Sequence, residues 1–498
     1  MNLGDFVDRT GDPERPLFLE PAAGDAPAVT TRAAFDARCD AVARGLLARG
    51  LARGDRVALL AANRADYVAA FMGAMRAGIV PAPINHKLPR ATATQVAADC
   101  GARLVLHDAA RADLLDRAAL PGVAFVDLDG EGLDDLLDPG PFTPVTPEPD
   151  EPAFMMFTSG STGRPKGVLL SHESHRWTAA VRMEQTPMRG ERLLVAAPLY
   201  HMNALALSIL VCASGAECVL LPQFEARAYI DAIARFRVSW LTAVPPMIAM
   251  MLREEEALAG ADLSTVRTIR MGSSPVNDAL AGQIHGLLPN ARIINAYGTT
   301  EGGTVVFGPH PDGLAPPTGA LGYPHPEVQV RLTGPDAPER GVLEMKSPAV
   351  MLGYHERPDV PSPITSDGFY TTGDVFRRDA EGFYYFLGRD DDMFVSGAEN
   401  IFPGEVEHVI ETHPDVVQSC VVPVSDAVKG TKPVAFVVRH AGATLDEASL
   451  KAHVLANAPA YQHPRRVWFL DRLPLASTNK IDRAALRARA EAEVNGAG

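Results

Sequence analysis

The run Thr158-Ser159-Gly160-Ser161-Thr162-Gly163-Arg164-Pro165-Lys166-Gly167-Val168 gathers hydroxyls, glycines and one lysine between two apolar stretches, 153–157 and 168–170. Glycine lets backbone amides come close to an anion and takes positive φ at no steric cost, so hydroxyl and amide hydrogens can donate to phosphate oxygens. Lys166 adds a positive charge. This is the chemistry of a phosphate-binding loop, but not of the P-loop form, in which Gly-Lys-Ser/Thr opens a helix. Lys166 stands between Pro165 and Gly167, so the run predicts a flexible hairpin joining two strands. A solvent-exposed Ser/Gly linker would rarely contain Arg-Pro-Lys-Gly or lie between two buried strands.

The elements that must position this loop alternate strand with helix. Apolar runs at 57–60 and 79–83 flank a helical stretch at 65–77, and further strand-like runs fall at 104–107, 124–128, 193–197, 218–221, 240–244 and 293–296. Such alternation implies parallel sheets covered on both faces. Near 334–341 the texture becomes turn-rich and strand-rich. The segment 138–152, with six prolines and several acidic residues, reads as a surface connector. A charged run, Gly388-Arg389-Asp390-Asp391-Asp392, separates this body from a compact αβ pattern with strands at 421–424, 434–438 and 467–470 and a helix at 445–456.

With 498 residues, two or more domains are expected. The fold class is α/β: a large N-terminal domain of stacked βαβ sheets with a β-rich subdomain (1–390), then a small mobile α+β domain (391–498). The 46 basic and 61 acidic residues give a net charge of −15, which argues against a general nucleic-acid binder. Cys39, Cys100, Cys212, Cys218 and Cys420 form no C-x-x-C pair and read as free thiols of a reducing compartment. The N-terminus lacks the basic-then-apolar order of a signal peptide, and no apolar run is long enough to span a bilayer. A cytoplasmic protein with no membrane partner is expected.

The glycine-rich run resembles the phosphate-loop signature of the adenylate-forming superfamily: acyl- and aryl-CoA synthetases, adenylation domains of peptide synthetases and firefly-type luciferases. The resemblance extends from about residue 35 to residue 483, with further motifs in the family order. Ala296-Tyr297-Gly298-Thr299-Thr300-Glu301-Gly302 is similar to the adenine and magnesium motif. It implies a π face for the purine from Tyr297, a nucleotide-binding turn at Gly298 and Thr299, a hydroxyl for the α-phosphate from Thr300, and a metal-binding oxygen from Glu301, since Mg²⁺ takes one or two carboxylates plus phosphate oxygens. Read alone, Tyr-Gly-Thr-Thr-Glu would be an ordinary strand-to-turn sequence. Tyr370-Thr371-Thr372-Gly373-Asp374 resembles the ribose motif. Asp374 would accept from two ribose hydroxyls, and Arg389 would contact ribose or phosphate. Asp391 falls at the family hinge, and Ser396-Gly397-Ala398-Glu399-Asn400 resembles the loop that enters the site for thioester formation. Leu473-Pro474-Leu475-Ala476-Ser477-Thr478-Asn479-Lys480 matches the catalytic-lysine motif, with Asn479 where the common form has glycine. Lys480 would bridge substrate carboxylate and α-phosphate.

For the acid, the resemblance implies a pocket drawn from His201, Asn203, Leu207, the turn Gly272-Ser273-Ser274, Ala296 and Gly298, with His201 as a gate toward the thiol channel. No acidic residue occurs at 197–215, which disfavours an amino-acid substrate. No arginine or lysine occurs there either, which weakens a dicarboxylate. Asn203 is expected either to donate to a ring substituent or to be satisfied by backbone. The expected reaction is ATP- and Mg²⁺-dependent activation of an aryl or medium-chain acid with transfer to coenzyme A. The alternatives are a stand-alone enzyme loading a carrier protein, or a nucleotide sensor without catalysis, which would not need Lys480. Oligomeric state is left open, a homodimer included.

Overall fold

The computed structural model describes residues 1–498 except 22–25, 159–163, 273–275, 277, 397–398, 427–428, 477–479 and 496–498; for 278, 279, 400 and 495 it describes the backbone alone. Two sheets form the α/β body. The larger runs in the order Arg292–Ala296, Thr268–Gly272, Trp240–Ala243, Arg192–Val195, Glu217–Leu220, Pro16–Glu20 and Ala28–Thr31, parallel throughout except for the last pair. The smaller, Val80–Pro83, Arg56–Leu60, Ala102–His107 and Ala124–Asp127, is entirely parallel. The apolar runs at these positions are near-continuous because helices cover both faces. The helix Met202–Ser214 is apolar almost all round and correspondingly buried. It stops at Gly215, which takes the left-handed conformation at φ +75°.

Arg76, at the end of the helix Ala65–Arg76, is 1% exposed and ion-pairs with Asp36 and Asp40 of the helix Arg32–Ala48. A guanidinium buried this deeply is tolerated only because it is paired and hydrogen-bonded. The proline-rich 138–152 segment lacks helix or strand until Pro152, yet Val145 donates to Arg76 O and its own carbonyl accepts from Asn2. All five cysteines are free and buried, and burial pushes the Cys39 and Cys100 thiols up to about 12.

The strands that flank the glycine-rich run pair with each other. Pro152–Thr158 and Lys166–Ser171 run antiparallel with Thr158 opposite Lys166, and the short strand Gly353–Tyr354 adds to the outer edge. The β-rich subdomain is an antiparallel sheet of Gln329–Thr333, Arg340–Lys346, Tyr370–Arg378 and Tyr384–Arg389. Beyond it, residues between 394 and 494 supply two apolar cores of their own. These lie on the two faces of the sheet Val416–Asp426, Gly430–Arg439 and Val467–Phe469. Arg340–Glu405 (2.9 Å), Arg253 Nη1 to Asp471 O (2.9 Å) and Gln283 to His440 (3.3 Å) link this part to the body. Among the described residues no helix is long and apolar enough to cross a membrane.

Candidate active site

A cleft of about 2260 Å³ opens at the carboxyl ends of the large sheet's strands, where open α/β sheets hold ligands. The strand Arg292–Ala296 delivers the chain into it at Tyr297. Thr299 and Gly303 then exchange backbone hydrogen bonds (3.1 and 3.0 Å), and Thr299 Oγ1 accepts from the Gly302 amide (2.8 Å). This tight turn presents Thr300 and Glu301 to the cleft. Gly298 is required here, because a Cβ would lie 2.6 Å from Gly303 O.

Glu301 Oε1 accepts from Thr158 Oγ1 (3.1 Å) and from Tyr354 OH (3.4 Å). Lys166 donates to the same tyrosine (3.3 Å) and lies 4.5 Å from its ring centroid. Thr158, Lys166 and Glu301, separated by up to 143 residues, therefore meet around Tyr354, which sequence reasoning missed. Its only signal is structural: pairing with Val168 sets it beside the loop. Ser159, Gly160, Ser161, Thr162 and Gly163 lie outside the described residues.

Asp374 sits directly opposite Arg389 in the antiparallel register. Their side chains pair (3.1 Å), and Tyr297 OH donates to the other carboxylate oxygen (2.5 Å). Enclosure pushes the buried Asp374 carboxyl above the usual aspartate range; the bonds from Tyr297 and Arg389 pull it back without cancelling the rise. One edge of Tyr297 packs on Phe307, Phe376 and Phe386, while the ring lines the cleft. The tyrosine thus carries a polar duty beyond the expected π face. Arg389 Nε also pairs with Asp391 (3.0 Å).

Lys480 reaches the same cleft from the far end of the chain. Its loop is closed by a hydrogen bond from Ala476 N to Lys480 O (2.7 Å) and a bridge between Leu475 and Ile481. It is held from behind by Arg483, whose two terminal nitrogens each bond Glu407 at 2.7 Å. The lysine's own surface is open to the cleft, yet protein stands around it. That enclosure lowers its pKa; Asp374 opposes the shift and Arg389 adds to it. Ser396 is buried and Glu399 exposed on a two-stranded ribbon. Gly397, Ala398 and Asn479 lie outside the described residues, as does the side chain of Asn400.

Beyond the turn at 297–303, the cleft is lined by Tyr200, His201, Asn203, Leu207, Gly272, Ala296 and Gly298. Ser273 and Ser274 lie outside the described residues. His201 stands at the N-terminal boundary of the helix Met202–Ser214, without a side-chain capping bond, and packs edge-on against Tyr200, ring centroids 4.5 Å apart. Asn203 is held by a side chain rather than by backbone: its side-chain oxygen accepts from Arg270 Nη1 (3.1 Å), and its Nδ2 has no partner among the described residues. The pocket does contain cations. They come not from 197–215 but from Arg182 of the helix His172–Gln185 and Arg270 of the strand Thr268–Gly272. The second had a sequence signal, since an arginine interrupts a strand that is otherwise suited to a sheet buried on both faces.

A strand-anchored glycine loop, a carboxylate on a sheet register and a lysine from a separate C-terminal core together define an adenylate-forming enzyme. Residues 10–355 match the AMP-binding enzyme family and residues 405–480 match the AMP-binding enzyme C-terminal domain, and the chain belongs to that family. It is 33% identical over 466 residues to a feruloyl-CoA synthase of an Amycolatopsis species, covering 92% of this chain and 94% of the relative. It is 30% identical to a sulfoacetate–CoA ligase of Cupriavidus necator, covering 95% and 94%. The structure of the anthranilate CoA ligase AuaEII in complex with anthranoyl-AMP superposes with a TM-score of 0.90 at 25% identity, covering 99% of this chain and 98% of that one. The activity is that of an AMP-forming acid–thiol ligase of the acyl-CoA synthetase family.

Proposed function

We propose that this enzyme joins an aryl or medium-chain carboxylic acid to coenzyme A in two steps. A carboxylate oxygen attacks the α-phosphorus of ATP and pyrophosphate leaves; the thiol sulfur of coenzyme A then attacks the acyl carbon and AMP leaves with the electron pair of the acyl–oxygen bond. The observation that carries this reading is convergence: Lys480 stands in one cleft with Thr300, Glu301, Asp374 and Arg389, close enough to feel the charges of the last two.

In this reading Lys480 and Thr300 offset the charge that develops on the α-phosphate. Lys166, Thr158 and the loop 159–163 bind the outer phosphates, while Asp374, Arg389 and Tyr297 with Gly298 and Thr299 hold the nucleoside. Glu301 faces the cleft, and among the described residues no cation pairs with it, so its charge suits a divalent ion. It would hold Mg²⁺ jointly with phosphate oxygens, and the ion would neutralise phosphate charge. His201 borders the acyl pocket, and residues 396–400 serve the thioester step after rotation about Asp391, at the division between 1–390 and 391–498. Support for the acid's size comes from apolar walls at Leu207, Met247 and Leu280 and from similarity to enzymes named for feruloyl and anthranilate substrates.

Acid-dependent exchange of labelled pyrophosphate into ATP should proceed without thiol, and mass spectrometry should find acyl-CoA when coenzyme A is added. Silence across a broad acid panel counts against adenylation. Acylation of a phosphopantetheinylated carrier in preference to coenzyme A would instead select the carrier-loading alternative.

The Asp374 geometry adds a pH prediction. The ionised carboxylate is acceptor-only, and protonation turns one of its oxygens into a donor and weakens its hold on two ribose hydroxyls. With its pKa raised by burial, acceptor capacity is lost on acidification at a higher pH than for an exposed aspartate. Tyr297→Phe removes a bond that favours the ionised form, so the acid limb of kcat/KM for ATP should move to still higher pH. A limb that stays put or moves down would separate Asp374 from nucleotide binding.

A further inference from the structure

Among the described residues, no acid answers the two arginines that line the acyl side of the cleft. Arg182 and Arg270 both line the cleft and both are half-buried. Neither forms an ion pair with a described residue: Arg182 donates to Thr304 O (2.5 Å) and Arg270 to the Asn203 side chain (3.1 Å). Arg270 Nε, Asn203 Nδ2 and Thr304 Oγ1, all on residues of this wall, have no hydrogen-bond partner among the described residues. Enclosure pushes Arg270 down to about 10 and Arg182 well below the ordinary arginine range, the charge of Arg270 adding to the effect on Arg182. A guanidinium keeps its proton in a protein, so these shifts register unrelieved positive charge. Neither Glu301 nor Asp374 acts on either group, which sets the pair apart from the nucleotide machinery. Two enclosed like charges are costly, and a protein that retains them needs an anion to offset that cost.

We propose that the acid activated here carries a second anionic group, a carboxylate or sulfonate remote from the reacting carboxyl, which seats against Arg182 and Arg270. Such groups match the planar donor fork of arginine, which binds them through paired charge-assisted hydrogen bonds. The inference rests on the adenylation reading and refines the acid class: the walls set the size, and the arginines demand a charged far end. A purely structural role would leave the choice of acid untouched.

The test is pyrophosphate exchange on matched acids: aliphatic and aryl monoacids against the same skeletons bearing a distal carboxylate in one arm and a distal sulfonate in the other. The wild-type enzyme should favour at least one doubly anionic series by roughly 10- to 100-fold in kcat/KM, the range for a charge-assisted contact. Arg270→Met and Arg182→Met should each lower the ratio of diacid to monoacid kcat/KM by about tenfold or more, and Arg270→Lys by less. The wild-type comparison needs no variant and stands even if a substitution impairs folding. Exchange with monoacids in preference to both charged series overturns the proposal while leaving adenylation intact, as does an equal loss on both acid classes in folded variants. No exchange with any acid is the failure of the adenylation reading itself.

Discussion

Replacing Lys480 with alanine should cut acid-dependent pyrophosphate exchange about 10²- to 10³-fold, the usual cost of removing one preorganised donor from developing charge. Conversion of supplied acyl-adenylate to thioester should persist. The reason lies in where the lysine comes from. Its loop is carried by the C-terminal core and fixed through Arg483 and Glu407, whereas Asp374, Arg389, Thr300 and Glu301 belong to the body. On the proposed mechanism, removing the side chain deletes a positive charge from where oxygen would meet phosphorus, and it leaves the Asp374–Arg389 pair in place. The loss should therefore fall on kcat far more than on KM for ATP, the signature of an interaction made chiefly in the transition state. Loss of both half-reactions to the same extent would point to a collapsed C-terminal core, and survival of both would remove Lys480 from the mechanism.

What the chain reveals before folding depends on how far apart cooperating residues lie. The glycine loop is local: its composition, with Lys166 between Pro165 and Gly167 disfavouring an immediate helix, is enough to predict a hairpin, and Thr158 does sit opposite Lys166. Strand–helix alternation is local as well, and the apolar runs near 57–60, 104–107 and 240–244 lie in parallel sheets. Asp374 and Arg389 were each legible as motif residues, but the register that opposes them is a property of the hairpin. Tyr354 carried no signal, being 188 residues from the lysine it contacts. Arg182 and Arg270 show the limit most clearly. A pocket judged from one segment, 197–215, looked uncharged, because a helix and a strand outside that segment supply its cations. Long-range convergence fixes the character of a cavity, and a single segment does not contain it.

Glu301 illustrates how such convergence sets an effect size. Its carboxylate accepts two hydroxyl hydrogens, from Thr158 and Tyr354, and neither donor neutralises its charge. Lys166, the nearest cation of the group, bonds the Tyr354 hydroxyl instead. Glu301→Gln keeps the shape and an acceptor oxygen for the Thr158 hydroxyl, so it probes the charge rather than the packing. If that charge helps to hold Mg²⁺ on the triphosphate, exchange at ordinary Mg²⁺ concentration should fall about 10²-fold, a few kcal/mol of charge stabilisation. The Mg²⁺ concentration for half-maximal rate should rise at least tenfold, and excess metal should recover part of the loss. Tyr354→Phe, which removes only one hydroxyl, should move that midpoint far less. An unchanged metal dependence in Glu301→Gln, whatever its rate, would mean that the carboxylate serves the turn and not the ion.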